Sequence, residues 1–225
     1  MQVLCFSQET AINCYNYVWL EPNRVYKGEK LFQELENKVC KHQFLQKYCE
    51  QVKNNLSVKR FEHVLRVTKL ASEIAISNKF SQEDYEATVL AAFLHDSARE
   101  LSKEEMFKMA KPEIAAEESH FMMLHGKAGR ELAKSWGVDN LPVLEAIEGH
   151  VLGVHTTNKI AMAVYIADVS EPGRGVNNEI RELAFTDLCA AYKQAIFIKI
   201  NYLKSKSKEI HPHTLKIYEE ICDFK

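Results

Sequence analysis

Turn formers are scarce in this sequence. Eight glycines and five prolines in 225 residues are about half the usual share, which argues against a turn-rich sandwich or barrel. The six cysteines (Cys5, Cys14, Cys40, Cys49, Cys189 and Cys222) contain no C-x-x-C pair. Neither a zinc knuckle nor a thioredoxin-type redox motif is therefore available, and buried, reduced thiols are expected. Long apolar runs are missing too: Ile160 to Ala167, the longest uncharged one, is far short of the ~20 residues of a membrane span. Neither sign of charge dominates, since 29 basic residues face 31 acids for a net charge of -2. Without a basic field, neither a nucleic acid nor an anionic membrane is an expected partner. The opening MQVLCFSQET has no basic stretch and breaks its apolar run at Ser7, Gln8 and Glu9. A secretory leader is not expected there, and a cytoplasmic location is.

What remains is ordinary globular material, 46% hydrophobic and 27% charged, enough for a sizeable core. The low turn content and the spacing of apolar residues predict an all-α fold. Residues 1–55 read as an N-terminal extension, irregular over 1–29 around Glu21-Pro22-Asn23, then helical where Leu31, Leu35, Val39, Leu45, Tyr48 and Val52 recur. Residues 56–225 read as the main domain. Ser57 can cap its first helix, and Ser81 with Asp84 and Ser102 with Glu105 resemble capping boxes. Pro112 ends a short helix, Gly137 stops the one starting near Gly126, and Pro142 sits near the start of the next. The alanines of Lys159 to Asp168 favour a buried helix over a strand. One long amphipathic helix is expected from Ile180 to Tyr202, and a final one opens at His211-Pro212-His213-Thr214.

His95-Asp96 is the first pair that composition leaves unexplained, because it directly follows the wholly apolar Val89 to Leu94. Buried there, a carboxylate and an imidazole need a partner, and a divalent cation satisfies both. One such dipeptide is weak evidence, since a capping aspartate beside a satisfied histidine is commoner. Two more groups change the balance: His63 shares a stripe with Val67, Leu70 and Ile74, and Asp168 shares one with Ala161 and Val164. His63, His95, Asp96 and Asp168 together would form a borderline-hard N/O site for iron, manganese or another divalent metal, with positions open to water and substrate. His125 and His150 could add a second metal or donate to a phosphate; each alone would read as an ordinary helix-end histidine.

The order His63, His95-Asp96, Asp168 resembles the H…HD…D signature of the HD-domain metal-dependent phosphohydrolases, an all-helical superfamily. More closely, the chain resembles the bacterial YqeK family of symmetrical diadenosine tetraphosphate (Ap4A) hydrolases. The matching stretches run in order over residues 56–225: Lys59-Arg60-Phe61-Glu62-His63, Leu94 to Glu100, Leu124-His125-Gly126, Ala146 to His150, Ile166-Ala167-Asp168 with Glu171-Pro172-Gly173-Arg174, and Ile210 to Thr214. The resemblance implies an HD-domain helical bundle cutting a dinucleoside polyphosphate into two ADP. It implies His63, His95, Asp96 and Asp168 as ligands of a divalent metal, iron first, with manganese or cobalt as alternatives. Asp96, Asp168 and Arg99 are then the catalytic residues. Substrate contacts are implied at Arg60, Arg99, Glu100, His125, His150, Val151, Asp168, Arg174, His211, Pro212, His213 and Thr214. Val151 departs from the family, which usually carries threonine there, so a hydroxyl donor near the phosphates is absent. The N-terminal extension is a further departure, expected to serve packing or homodimer formation. The alternatives are another nucleotide as substrate (a dNTP, a nucleoside monophosphate or a cyclic dinucleotide) or a non-catalytic nucleotide sensor.

Overall fold

The computed structural model describes residues 29–223, and among them every regular element is helical. In order these are α1 (Glu29–Cys40), α2 (Cys49–Asn55), α3 (Val58–Ser77), α4 (Gln82–Leu94), α5 (Lys103–Met109), α6 (Ala115–Ser119), α7 (His125–Ser135), α8 (Leu141–Leu152), α9 (Lys159–Ser170), α10 (Asn178–Ala184), α11 (Leu188–Ser205) and α12 (Pro212–Asp223). Short 3-10 turns lie at Gln46–Tyr48, Phe121–Leu124 and Pro172–Arg174. No helix among the described residues is long and apolar enough to cross a membrane.

Helix α9 is the centre of the bundle. Ile160 to Ala167 are all buried, and a helix apolar on every side must be enclosed by others. It is enclosed by α3, α4, α8 and α11. Helix α4 runs through the same core, with Val89 and Ala91 to Leu94 fully buried. The chain then turns sharply, as the N–H groups of Ser97 and Arg99 bond to the carbonyls of Leu94 and Asp96. The polar residues that follow the apolar run thus stay inside.

The helix starts follow local chemistry. Ser57, Ser81 and Ser102 accept hydrogen bonds from the N–H groups of Arg60, Asp84 and Glu105, and Glu105 completes the box by accepting from Ser102 N. Asn140, Asn158 and Asp187 cap α8, α9 and α11 in the same way. Asp187 corrects the expectation of a continuous helix from Ile180 to Tyr202. Its carboxylate accepts from Ala190 N at 2.9 Å, which starts a new helix after the turn at 185–187 and separates α10 from α11.

Of the N-terminal extension, the expected irregular stretch lies outside the described residues apart from Glu29, as do Cys5 and Cys14. The described part is not a detached arm: Leu35, Val39, Leu45 and Val52 are fully buried in the same hydrophobic cluster as the bundle, with α1 and α2 against α3. The expectation of reduced thiols is overturned at Cys40 and Cys49. The turn after α1 brings their Cα atoms to 5.5 Å, and they form a disulfide. Cys189 is half-buried and Cys222 exposed, both as free thiols.

Two glycines set the spacing around α8. A Cβ on Gly126 of α7 would lie 2.3 Å from the carbonyl oxygen of Glu148, and one on Gly149 would lie 2.0 Å from Val154 Cγ1. Only a hydrogen fits where α7 crosses α8, so Gly126→Ala forces the two helices apart. Overpacking of this kind costs about 1–3 kcal/mol. Chemical denaturation should show that loss for Gly126→Ala, whereas exposed Glu104→Ala should stay within about 0.5 kcal/mol of wild type. An unchanged midpoint for Gly126→Ala would contradict the close crossing.

Candidate metal centre

His63 projects from the first turns of α3, His95 and Asp96 follow α4, and Asp168 lies near the end of α9. Their donor atoms meet. His63 Nε2 is 3.0 Å from Asp168 Oδ1 and 3.7 Å from Asp96 Oδ2, while His95 Nε2 is 3.6 Å from Asp96 Oδ2 and 3.8 Å from Asp168 Oδ1. The other Asp96 oxygen, Oδ1, faces His125 Nε2 at 3.4 Å and His150 Nε2 at 3.6 Å. One carboxylate therefore lies between two pairs of imidazoles.

Three of these rings are held by the same local device. The Nδ1 atoms of His95, His125 and His150 bond to the carbonyl oxygens of Ala92, Met122 and Ile147, each three residues earlier in the chain. A carbonyl can only accept, so Nδ1 carries the proton and each Nε2 presents a lone pair to the centre. His63 uses a carboxylate instead, with Nδ1 3.1 Å from Glu171 Oε1. Arg66 Nε donates to Glu171 Oε2 at 2.8 Å. A carboxylate behind a ligating imidazole fixes its tautomer and raises its basicity.

The charge states suit a cation. Burial pushes the His95 pKa down to about 4, and burial likewise lowers His125 despite the nearby Asp96 carboxylate, so both rings are neutral. Burial opposes ionisation of Asp96, but the neighbouring His95, His125 and His150 rings hold its pKa well below the usual carboxylate range. Asp168 is likewise held low against burial by His63, His95 and Arg174. Glu171 sits at about 2, with its burial offset by His63, Arg66 and the Gly173 N–H. His63, between Asp168 and Glu171, is raised despite burial.

Two features of the donor set remain unsatisfied by protein alone. His95 Nε2 is fully buried and has no hydrogen-bond partner. The Nε2 atoms of His125 and His150 lie 3.0 Å apart, although both rings have their Nδ1 protons committed to carbonyls; two lone pairs at that distance need a shared proton or a cation. Neutral imidazoles and ionised carboxylates are the ligands a divalent ion requires. The sets His63, His95, Asp168 and His95, Asp96, His150 each converge closely enough to hold one.

The centre opens into a cleft of about 740 Å³, to which Arg60, Arg99, Val151 and Arg174 contribute alongside Asp96, His125, His150 and Asp168. Arg60 Nη1 donates to Asp96 Oδ2 at 3.0 Å, and Arg174 donates to Asp168 Oδ1 and to the Asp168 carbonyl. The other expected contacts lie elsewhere. Glu100 accepts from the Ser57 hydroxyl at 2.9 Å and from its N–H, at the start of α3. His211 Nε2 is 3.3 Å from Glu117, His213 Nε2 is 3.1 Å from the Gly153 carbonyl, and the Thr214 hydroxyl donates to Leu152 O at 2.7 Å. Pro212 is an exposed first residue of α12. This segment bonds to the C-terminal end of α8 outside the cleft, and His211 and Thr214 line a neighbouring pocket of about 220 Å³. Sequence reasoning missed Glu171 and Lys199 as parts of the site. Glu171 is 1% exposed and had a signal, an acid directly after a buried helix. Lys199 had a fainter one, its i+4 spacing from Ala195.

The HD-domain family model matches residues 60–188. A symmetrical bis(5'-nucleosyl)-tetraphosphatase of Bacillus subtilis is 33% identical over 178 residues, 74% of this chain and 91% of that protein. Another of the same name from Halalkalibacterium halodurans is 29% identical over 177 residues, 76% and 92% of the two chains. A probable nicotinate-nucleotide adenylyltransferase/Ap4A hydrolase of Mycoplasma genitalium is 32% identical over 161 residues, 67% of this chain, and the chain spans only 44% of that protein. A solved structure described as a predicted HD superfamily hydrolase involved in NAD metabolism, from Clostridium acetobutylicum, has a TM-score of 0.73 at 28% identity and covers 82% of this chain and 99% of its own. With its helical order, its converging histidines and aspartates, and these matches, the chain belongs to the HD-domain family.

Proposed function

We propose that this chain is a metal-dependent phosphoanhydride hydrolase that cleaves Ap4A between its second and third phosphates, releasing two ADP. The observation that carries the reading is the convergence of His63, His95, Asp96 and Asp168, with the orphaned His95 Nε2, at the floor of a cleft lined by arginines. The names of the tetraphosphatase relatives support the substrate.

The four residues would hold the ion, with iron proposed first and manganese or cobalt as alternatives, and His125 and His150 would complete a second position that shares Asp96. When bound, a divalent cation supplies Lewis acidity toward a phosphoryl oxygen and toward the attacking water. The chain's own residues do the rest. Asp168, kept ionised, accepts a hydrogen bond from that water and aims it at phosphorus. Arg60, Arg99 and Arg174 fork onto phosphate oxygens and offset the charge that builds there during in-line displacement. In the protein by itself Arg60 and Arg174 rest on Asp96 and Asp168; they exchange these carboxylates for phosphate as substrate enters. Glu171 fixes the His63 ring, with Arg66 holding Glu171 in turn.

Chromatography of products from the metal-reconstituted protein tests the reading: Ap4A should yield ADP as the sole nucleotide. ATP with AMP would mean that the phosphate chain lies one unit along the cleft and that the arginine contacts are misassigned, and no cleavage would refute the substrate. Iron, manganese and cobalt are compared in the same assay. Glu171→Gln should weaken metal affinity about 10- to 100-fold, the usual cost of losing a carboxylate behind a ligating histidine. Metal titration of the apo-protein measures this, and an unchanged affinity would remove Glu171 from the site.

A further inference from the structure

Arginines and metal-facing groups make up one side of the cleft. Another part of its lining comes from α11, and Lys199 stands there. Its ammonium lies over the ring of Tyr165, with Nζ 5.5 Å from the ring centroid, and donates to the carbonyl oxygen of Val151. That carbonyl belongs to the last turn of α8, where acceptors have no partner within the helix. An ammonium carries three N–H donors, and no carboxylate among the described residues lies within ion-pair distance of this one. Burial lowers its pKa to about 8, against the attraction of the more distant Asp168 carboxylate.

The position of this cation is informative. Lys199, Val151 and Leu203 line the 740 Å³ cleft and also a neighbouring pocket of about 220 Å³, whose other walls include His120, Met122, Leu152 and His211. Lys199 therefore stands at the seam between two cavities, one of which holds the metal-facing residues. The Val151 side chain, at the same seam, offers no donor. Tyr165, in the same wall, buries a hydroxyl that has no hydrogen-bond partner. A cation without a carboxylate partner and an unpaired hydroxyl beside a seam between cavities match an anionic chain passing from one cavity to the other.

We propose that Lys199 is a substrate-binding residue, donating to a phosphate oxygen where the polyphosphate of a dinucleotide crosses from the cleft into the neighbouring pocket. The proposal rests on the phosphohydrolase reading above and adds a phosphate contact and a second lodging for a nucleoside. The competing role is structural: an ammonium on the last carbonyls of α8 also stabilises a helix end.

The two roles separate by experiment on the full, metal-reconstituted chain. ADP binding by calorimetry, Ap4A kinetics, metal content and thermal midpoint are compared in wild type, Lys199→Met, Lys199→Gln and Lys199→Arg. Loss of a charged hydrogen bond to phosphate should raise the ADP Kd and the Ap4A KM about tenfold in Lys199→Met. Metal content should stay at the wild-type level, and Lys199→Arg should recover most of the affinity. Lys199→Gln keeps an N–H for Val151 O without the charge, so it should bind ADP as poorly as Lys199→Met even if Met alone loosens α8. A Lys199→Gln or Lys199→Met protein that is thermally weakened but binds ADP as wild type does would overturn the proposal and leave the hydrolase reading standing. Wild-type protein that neither binds ADP nor cleaves Ap4A would overturn both.

Discussion

An ionised carboxylate with only 3% of its surface exposed, Asp96, sets the terms for everything around it. Taking such a charge out of water costs several kcal/mol unless partners surround it. Its Oδ2 atom meets Arg60, His63 and His95, and its Oδ1 atom meets His125 and His150. Those partners come from α3, the end of α4, the start of α7 and the end of α8. Helix packing must therefore bring four termini or faces to one point, and the apolar α9 supplies the floor on which they converge.

The precision of that convergence has local causes. Gly126 lets the α7 backbone approach Glu148 of α8, which places His125 and His150 ring to ring. Carbonyls three residues back hold three imidazoles in one tautomer, and Glu171 does the same for His63 from the turn after α9. The result is a set of lone pairs on His95, His125 and His150 around ionised oxygens, with His63 held between Asp168 and Glu171. Protein groups alone leave His95 Nε2 without a partner, and under the proposed function a divalent ion takes that bond. The arginines that rest on Asp96 and Asp168 are then free to meet phosphate.

The sequence foretold some of this and hid the rest, for physical reasons. Ser57, Ser81 and Ser102 announced helix starts because a cap is a contact within a few residues. The apolar run before His95-Asp96, and the stripes carrying His63 and Asp168, marked polar groups facing a core, which one helix's periodicity suffices to show. What could not be read depends on distant pairing. Glu171 meets His63 108 residues away, and Lys199 meets Val151 48 residues away. Cys40 and Cys49 are joined through a turn whose course no cysteine spacing rule describes. His211 to Thr214 lie outside the cleft, bonded to Glu117 and to the carbonyls at the end of α8, and only the folded chain shows that His211 and Thr214 line the neighbouring pocket. The split between α10 and α11 rests on a local signal, since Asp187 is an ordinary N-cap residue inside an otherwise continuous apolar pattern.

Elemental analysis of Asp96→Ala protein, set beside its turnover of Ap4A, tests the central claim most directly. If Asp96 is the carboxylate that holds a catalytic cation between two sets of imidazoles, the variant purifies with little or no bound metal and does not turn over Ap4A, while wild type prepared in parallel does both. Asp96→Ala protein with wild-type metal content and wild-type turnover would contradict the account.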